Sequence, residues 1–113
     1  MCTKTTVDII TRSVAVKAKQ MFADKLQSVI LYGSYARGDY DTESDIDVMV
    51  LVDMDVFELK KHNEEICGLA SRLSLENDIT VSIYLKDYPT YNKYFHVMPY
   101  YQNVKNEGVV INV

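Results

Sequence analysis

A mixed β-sheet of about four strands flanked by helices, an α/β or α+β domain, is the fold class this sequence predicts. Three observations carry that expectation. Apolar residues recur at three- and four-residue spacing in two long stretches, and three other stretches are short, β-rich and apolar or alternating. The two kinds of stretch interleave, which with a Tyr-rich tail gives the order α-β-β-α-β-α-β.

The first helix is predicted over Thr5 to Ala23, where Val7, Ile10, Val14, Ala18, Met21 and Phe22 make one stripe. Gln27 to Tyr32 is a β-rich run that stops at Gly33. A polar, glycine-containing stretch, Ser34 to Ser44, then leads into Asp45 to Val52. That run alternates at its start and turns apolar on both faces, the pattern of a buried central strand. Asp53 or Asp55 can cap a second helix from Val56 to about Leu75, with Leu59, Ile66, Leu69, Ala70 and Leu73 as its stripe. Asp78 to Leu85 alternates strictly, polar or tyrosine at even positions and aliphatic at odd ones, as a third strand does. Pro99 suits the first turn of a short helix to Asn106, which Gly108 ends before a final strand, Val109 to Ile111.

Composition narrows the function classes. The 113 residues are expected to form one domain, 1–113, with an ordinary hydrophobic share of 48% and charged share of 25%. Twelve basic against sixteen acidic side chains leave a net charge of −4. That argues against a surface built to grip a nucleic-acid backbone, which needs clustered Lys and Arg. A nucleotide whose charge is carried by bound metal remains compatible with it. Cys2 and Cys67 are too few and too isolated for a disulfide framework or a zinc knuckle, so both are expected to be reduced thiols. No apolar run approaches the roughly 20 residues of a membrane span, and no signal-peptide core follows Met1, so a cytoplasmic protein without a membrane role is expected.

The stretch that carries chemistry runs from Leu31 to Val50. A strand ends at Gly33, where the missing Cβ lets a ligand approach the backbone, and Ser34 offers a hydroxyl and N–H groups at the start of a helical turn. Eleven residues later, Asp45 and Asp47 stand two apart on a strand, so their carboxylates share a face with Cα atoms roughly 6–7 Å apart. Ile46 and Val48 point the other way, into the core. Two ionised carboxylates on one face repel unless a cation lies between them, and Mg²⁺ favours one or two carboxylates plus substrate phosphates. Asp78 is placed on the polar face of the third strand with Thr80 and Ser82, where it can complete a three-carboxylate cluster. Singly, each element has a plainer reading: a Gly-Ser turn, a solvated Asp-x-Asp, a loop end at Asn77-Asp78. The ordered combination is what points to phosphoryl-transfer chemistry.

Gly33-Ser34-x-Ala36-Arg37-Gly38-Asp39 followed by Ser44-Asp45-Ile46-Asp47 resembles the signature of the DNA polymerase β-type nucleotidyltransferase superfamily, and within it the minimal nucleotidyltransferases, the MNT group. The likeness extends through Asp78–Leu85 and loosely over the tail, Met98-Pro99-Tyr100-Tyr101 to Val109. It implies a nucleotidyltransferase palm, two Mg²⁺ ions, and transfer of a nucleoside monophosphate, AMP from ATP, onto a hydroxyl with release of pyrophosphate. By position, Gly33 and Ser34 would hold the triphosphate and Asp45 and Asp47 would ligate metal. Asp78 would be the third carboxylate, ligating the catalytic metal and helping to deprotonate the acceptor. Arg37 is either a phosphate contact or the partner of Asp39 or Asp41 in its own loop.

Small MNT proteins resemble the antitoxin half of a pair whose other half is a helical HEPN-domain ribonuclease, which the transferase neutralises by attaching AMP. The expected partners are thus a nucleoside triphosphate and a HEPN-type protein, with an open sheet edge that suits a homodimer. A non-catalytic module that neutralises or scaffolds a partner by stoichiometric contact is the alternative. Transfer to a small molecule such as an aminoglycoside would need acceptor-binding residues that no motif here supplies. His62 and His96 lack ligand-spaced neighbours and read as solvated or packed histidines. Of the nine tyrosines, six follow residue 83, and Tyr88, Tyr91 and Tyr94 would cluster on one side of a short helix, as an interface or as core.

Overall fold

The computed structural model describes residues 4–38, 45–94, 97–99, 102, 106 and 108–111. Helix α1 (Lys4–Phe22) and a 3-10 turn lead to strand β1 (Leu26–Tyr32), the four-residue helix α2 (Ser34–Arg37) and strand β2 (Ile46–Val52). Helices α3 (Val56–Lys60) and α4 (Asn63–Asn77) cross to strand β3 (Val81–Asp87), which is followed by helix α5 (Tyr88–Tyr94) and strand β4 (Val109–Val110). The four strands form one mixed sheet in the order β3-β2-β1-β4, with β2 antiparallel to β1 and parallel to β3.

Register sorts the side chains into two faces. Leu31, Val48 and Ile83 are aligned across β1, β2 and β3, as are Val29, Val50 and Leu85. This face, with Ile46 and Val81 beside it, packs against α1 and α4 through Ile10, Val14, Ala18, Leu69 and Leu73. The continuous apolar run of β2 is explained by its central place: every residue from Val48 to Val52 is buried. On the opposite face, Ile30, Met49 and Leu51 pack with Tyr91 of α5, while Tyr32 and Tyr88 flank them. Tyr91 is thus core and Tyr94 exposed. Burial, with the neighbouring Tyr88 second, pushes the Tyr91 phenol above its ordinary value.

Two sequence expectations need correction. The helix expected from Val56 to about Leu75 is two helices, broken at Lys61–His62. Asp55 caps the first through its side chain, which accepts a 2.6 Å hydrogen bond from Phe57 N–H. At the break, His62 turns its ring edge-on against buried Phe22, with centroids 5.1 Å apart, so this histidine joins α3–α4 to α1. The other correction concerns β3, which starts at Val81 rather than Asp78. Of the predicted tail helix, Pro99, Gln102 and Asn106 are described and helical, and the rest lies outside the described residues. Among the described residues no helix is long and apolar enough to cross a membrane.

Candidate active site

The chemistry-bearing residues meet where β1 ends and β2 begins. Because β1 and β2 are antiparallel, Tyr32 pairs with Asp47, and the chain must leave the sheet at Gly33 directly over that carboxylate. Gly33 adopts φ 79°, a backbone conformation that side chains disfavour, and a Cβ built there would sit 2.8 Å from Asp47 Oδ2. Both facts demand glycine. Gly38 has a similar φ of 87° but open space around it, so only its turn requires glycine. Between them Ser34 opens and Arg37 closes the single helical turn of α2. The loop to Asp45, including Asp39 and Asp41 as alternative partners for Arg37, lies outside the described residues.

Asp45 is exposed just before β2, and Asp47 is half-buried on the face shared with Tyr32, Met49 and Tyr84. Ile46 and Val48 are fully buried on the other face, as the alternation requires. Burial first, and the Asp45 charge second, raise the Asp47 carboxyl above its ordinary value of 3.8. No described residue donates a hydrogen bond to Asp47, nor does any described cation pair with it. The arrangement is a half-desolvated anion beside a second anion, held against bare backbone.

Asp78 is placed differently from the sequence expectation. It is the C-cap of α4, in the left-handed conformation with φ 52°, and its N–H bonds to Ser74 O. Ser74 organises the whole connection. Its carbonyl also accepts from Ile79 N–H at 3.3 Å, and its hydroxyl accepts from Val81 N–H at 2.9 Å. Thr80 O then accepts from Ile46 N–H at 2.9 Å and sets the β2–β3 register. In that register Ser82, not Asp78, stands beside Asp47. Among the described residues no three acidic, histidine or cysteine side chains converge, so Asp45, Asp47 and Asp78 do not form a cluster. Alternation from 78 to 85 predicts one strand, but the helix cap consumes the first residues of that run. Ser82 was named on the polar face, and only its parity with Asp47 across the pair, invisible without register, marks it out.

The donor set fits one divalent cation. Two neighbouring carboxylates that meet no donor among the described residues offer the hard oxygen ligands such an ion takes, and the bare Gly33 backbone lies close against Asp47. A groove of about 470 Å³ along α1, lined in part by Arg12, Lys17 and Arg72, includes none of these residues.

A family profile for the nucleotidyltransferase domain matches residues 11–106, the stretch that contains Gly33, Asp45 and Asp47. The chain belongs to that family, and its chemistry is nucleotidyl transfer. Two relatives from Methanocaldococcus jannaschii are each named "Putative protein adenylyltransferase". The first is 45% identical over 91 residues, covering 78% of this chain and 81% of its own. The second is 30% identical over 93 residues, covering 82% and 85%. Among solved structures, a mutant of the toxin–antitoxin pair MntA-HpeT shares the fold with a TM-score of 0.50 at 22% identity, over 87% of this chain and 69% of that one. A tri-AMPylated Shewanella oneidensis HEPN toxin in complex with MNT antitoxin gives a TM-score of 0.45 at 20% identity, over 91% and 70%.

Proposed function

We propose that this chain transfers AMP from ATP, with Mg²⁺, onto a hydroxyl of a partner protein of the helical HEPN type, acting as its antitoxin in the cytoplasm. The observation that carries the reading is Asp47, half-buried beside the exposed Asp45, without a donor among the described residues and overlain by the Gly33 backbone. The names of the relatives support adenylyl transfer to protein as the reaction. In this reading Asp45 and Asp47 hold the ion, and Gly33 lets the triphosphate lie close to the backbone. Ser34 supplies a hydroxyl and N–H groups to the phosphate oxygens, and Arg37 adds positive charge at the same turn. When bound, Mg²⁺ neutralises phosphate charge and polarises the group being transferred.

The test is titration of the protein with ATP at millimolar Mg²⁺. Saturable binding that is lost in Asp45→Asn/Asp47→Asn, together with label from [α-³²P]ATP appearing on the co-expressed partner, is the expected result. Absence of nucleotide binding in the unmodified protein would favour the stoichiometric module instead.

A further inference from the structure

We propose that this site takes one divalent cation rather than two, because the position that completes its row of side chains is Ser82. The proposal rests on the nucleotidyl-transfer reading above and deepens it. Across the three long strands, Tyr32, Asp47 and Ser82 are consecutive register partners, so the side chain delivered by β3 next to Asp47 is a neutral hydroxyl. The acid nearest in sequence, Asp78, is fixed as the left-handed cap of α4, four residues away, and exposed. Two hydrogen bonds to the Ser74 carbonyl, one to its hydroxyl and one to the Thr80 carbonyl hold that connection in place, so β3 cannot slide to present it without breaking them.

Charge decides the count. The Asp45–Asp47 pair carries two negative charges, which one divalent ion neutralises. A second ion about 3.5–4 Å away, as in two-metal phosphoryl transfer, is held best where a further protein carboxylate joins the nucleotide phosphates in offsetting the repulsion. A serine hydroxyl supplies none, and among the described residues no third acid joins Asp45 and Asp47. Ser82 is half-buried, so the vacancy in charge is not filled by a long side chain from β3 either: the next residue on the same face is Tyr84, whose ring sits 6.2 Å from that of Tyr32. The acceptor hydroxyl consequently meets no carboxylate base on β3.

Electron paramagnetic resonance of the full chain with Mn²⁺ and the non-hydrolysable α,β-methylene analogue of ATP tests this. The expected result is one bound Mn²⁺ per chain with the spectrum of an isolated ion. Ser82→Asp is expected to raise the count to two and to give a spin-coupled pair, whereas Ser82→Asn and Asp78→Asn keep one. Two coupled ions in the unmodified protein would overturn the proposal while leaving the nucleotidyl-transfer reading intact. So would a correctly folded Ser82→Asp that still binds one, or an Asp78→Asn that loses its ion. No bound Mn²⁺ at all overturns both. Circular dichroism checks that each variant is folded, and the unmodified protein and Ser82→Asn decide the matter should Ser82→Asp fail to fold.

Discussion

Asp47 and Asp87 lie at opposite ends of the β2–β3 pair, and the protein treats them in opposite ways. Asp87 ends β3 with 4% of its surface exposed, and its Oδ2 accepts from both Thr90 N–H and the Thr90 hydroxyl, capping α5. Its other oxygen lies 3.7 Å from Lys86 Nζ. Asp47 is half-buried near the start of β2, finds no donor among the described residues, and faces a second carboxylate instead. One acid is tied into the fold through its Oδ2, while its buried Oδ1 accepts no hydrogen bond among the described residues and has the Lys86 ammonium nearby. The other is left as a cost to the fold, which is what a group reserved for an external cation looks like.

Removing charge from both ends separates these roles, and the largest effect belongs to the open site. Asp45→Asn/Asp47→Asn is expected to lower the transfer rate by about 10³-fold or more, since a metal clamp contributes several kcal/mol of transition-state stabilisation. Single-turnover transfer from ATP measures it, and a fall below tenfold would break the contrast. Next comes Gly33→Ala, which forces a Cβ into the Asp47 carboxylate at an unfavourable φ. It is expected to cost about 2 kcal/mol of stability and to weaken nucleotide binding as well. Gly38→Ala meets open space and is expected to cost only the backbone penalty of about 1 kcal/mol, with less effect on binding. Urea denaturation and nucleotide titration of the two variants compare them directly.

At the closed end, Asp87→Ala removes the α5 cap and is expected to lower stability by about 1–2 kcal/mol, or Tm by roughly 4–8 °C per kcal/mol, with kcat retained. The smallest effect is the pH dependence of the metal-free protein. Because the folded chain raises the Asp47 pKa, it binds that proton more tightly than the unfolded chain does. Stability from this group is therefore present at low pH and lost as pH rises from 3.8 through the folded value. Asp47→Asn is expected to flatten that decline and to raise the Tm of the metal-free protein at neutral pH. Thermal melts between about pH 4 and 7 read it, and a steeper decline in the variant would contradict the sign.

The comparison also shows which features periodicity reveals. The strands around Leu31 and Val50 and the α1 stripe from Val7 to Phe22 follow from burial alone, because a repeating apolar pattern has one good way to face a core. The Gly33–Asp45–Asp47 grouping was legible too, because its members are close in sequence and flank the end of β1 and the start of β2. What failed depends on where hydrogen bonds stop a repeat. Asp78 fits the alternation of β3, yet Ser74 draws Asp78, Ile79 and Val81 into a helix-ending arrangement that no alternation encodes. Likewise Lys61–His62 continues the helical pattern, and only the contact of His62 with Phe22, distant in sequence, marks the break. Asp87 went unnoticed because a carboxylate at a strand end looks solvated until the following helix is known.

The strand order has a kinetic corollary. Strands β1 and β2 are neighbours in the chain and can pair as soon as both have been synthesised, whereas β3 reaches β2 only after the two crossing helices have formed. The Gly33–Asp47 part of the site can thereby come together before the strand carrying Ser82 joins it. A nascent polypeptide still lacking β3 would already hold its pair of carboxylates at one edge of a hairpin, open to ions on the side that the finished sheet covers.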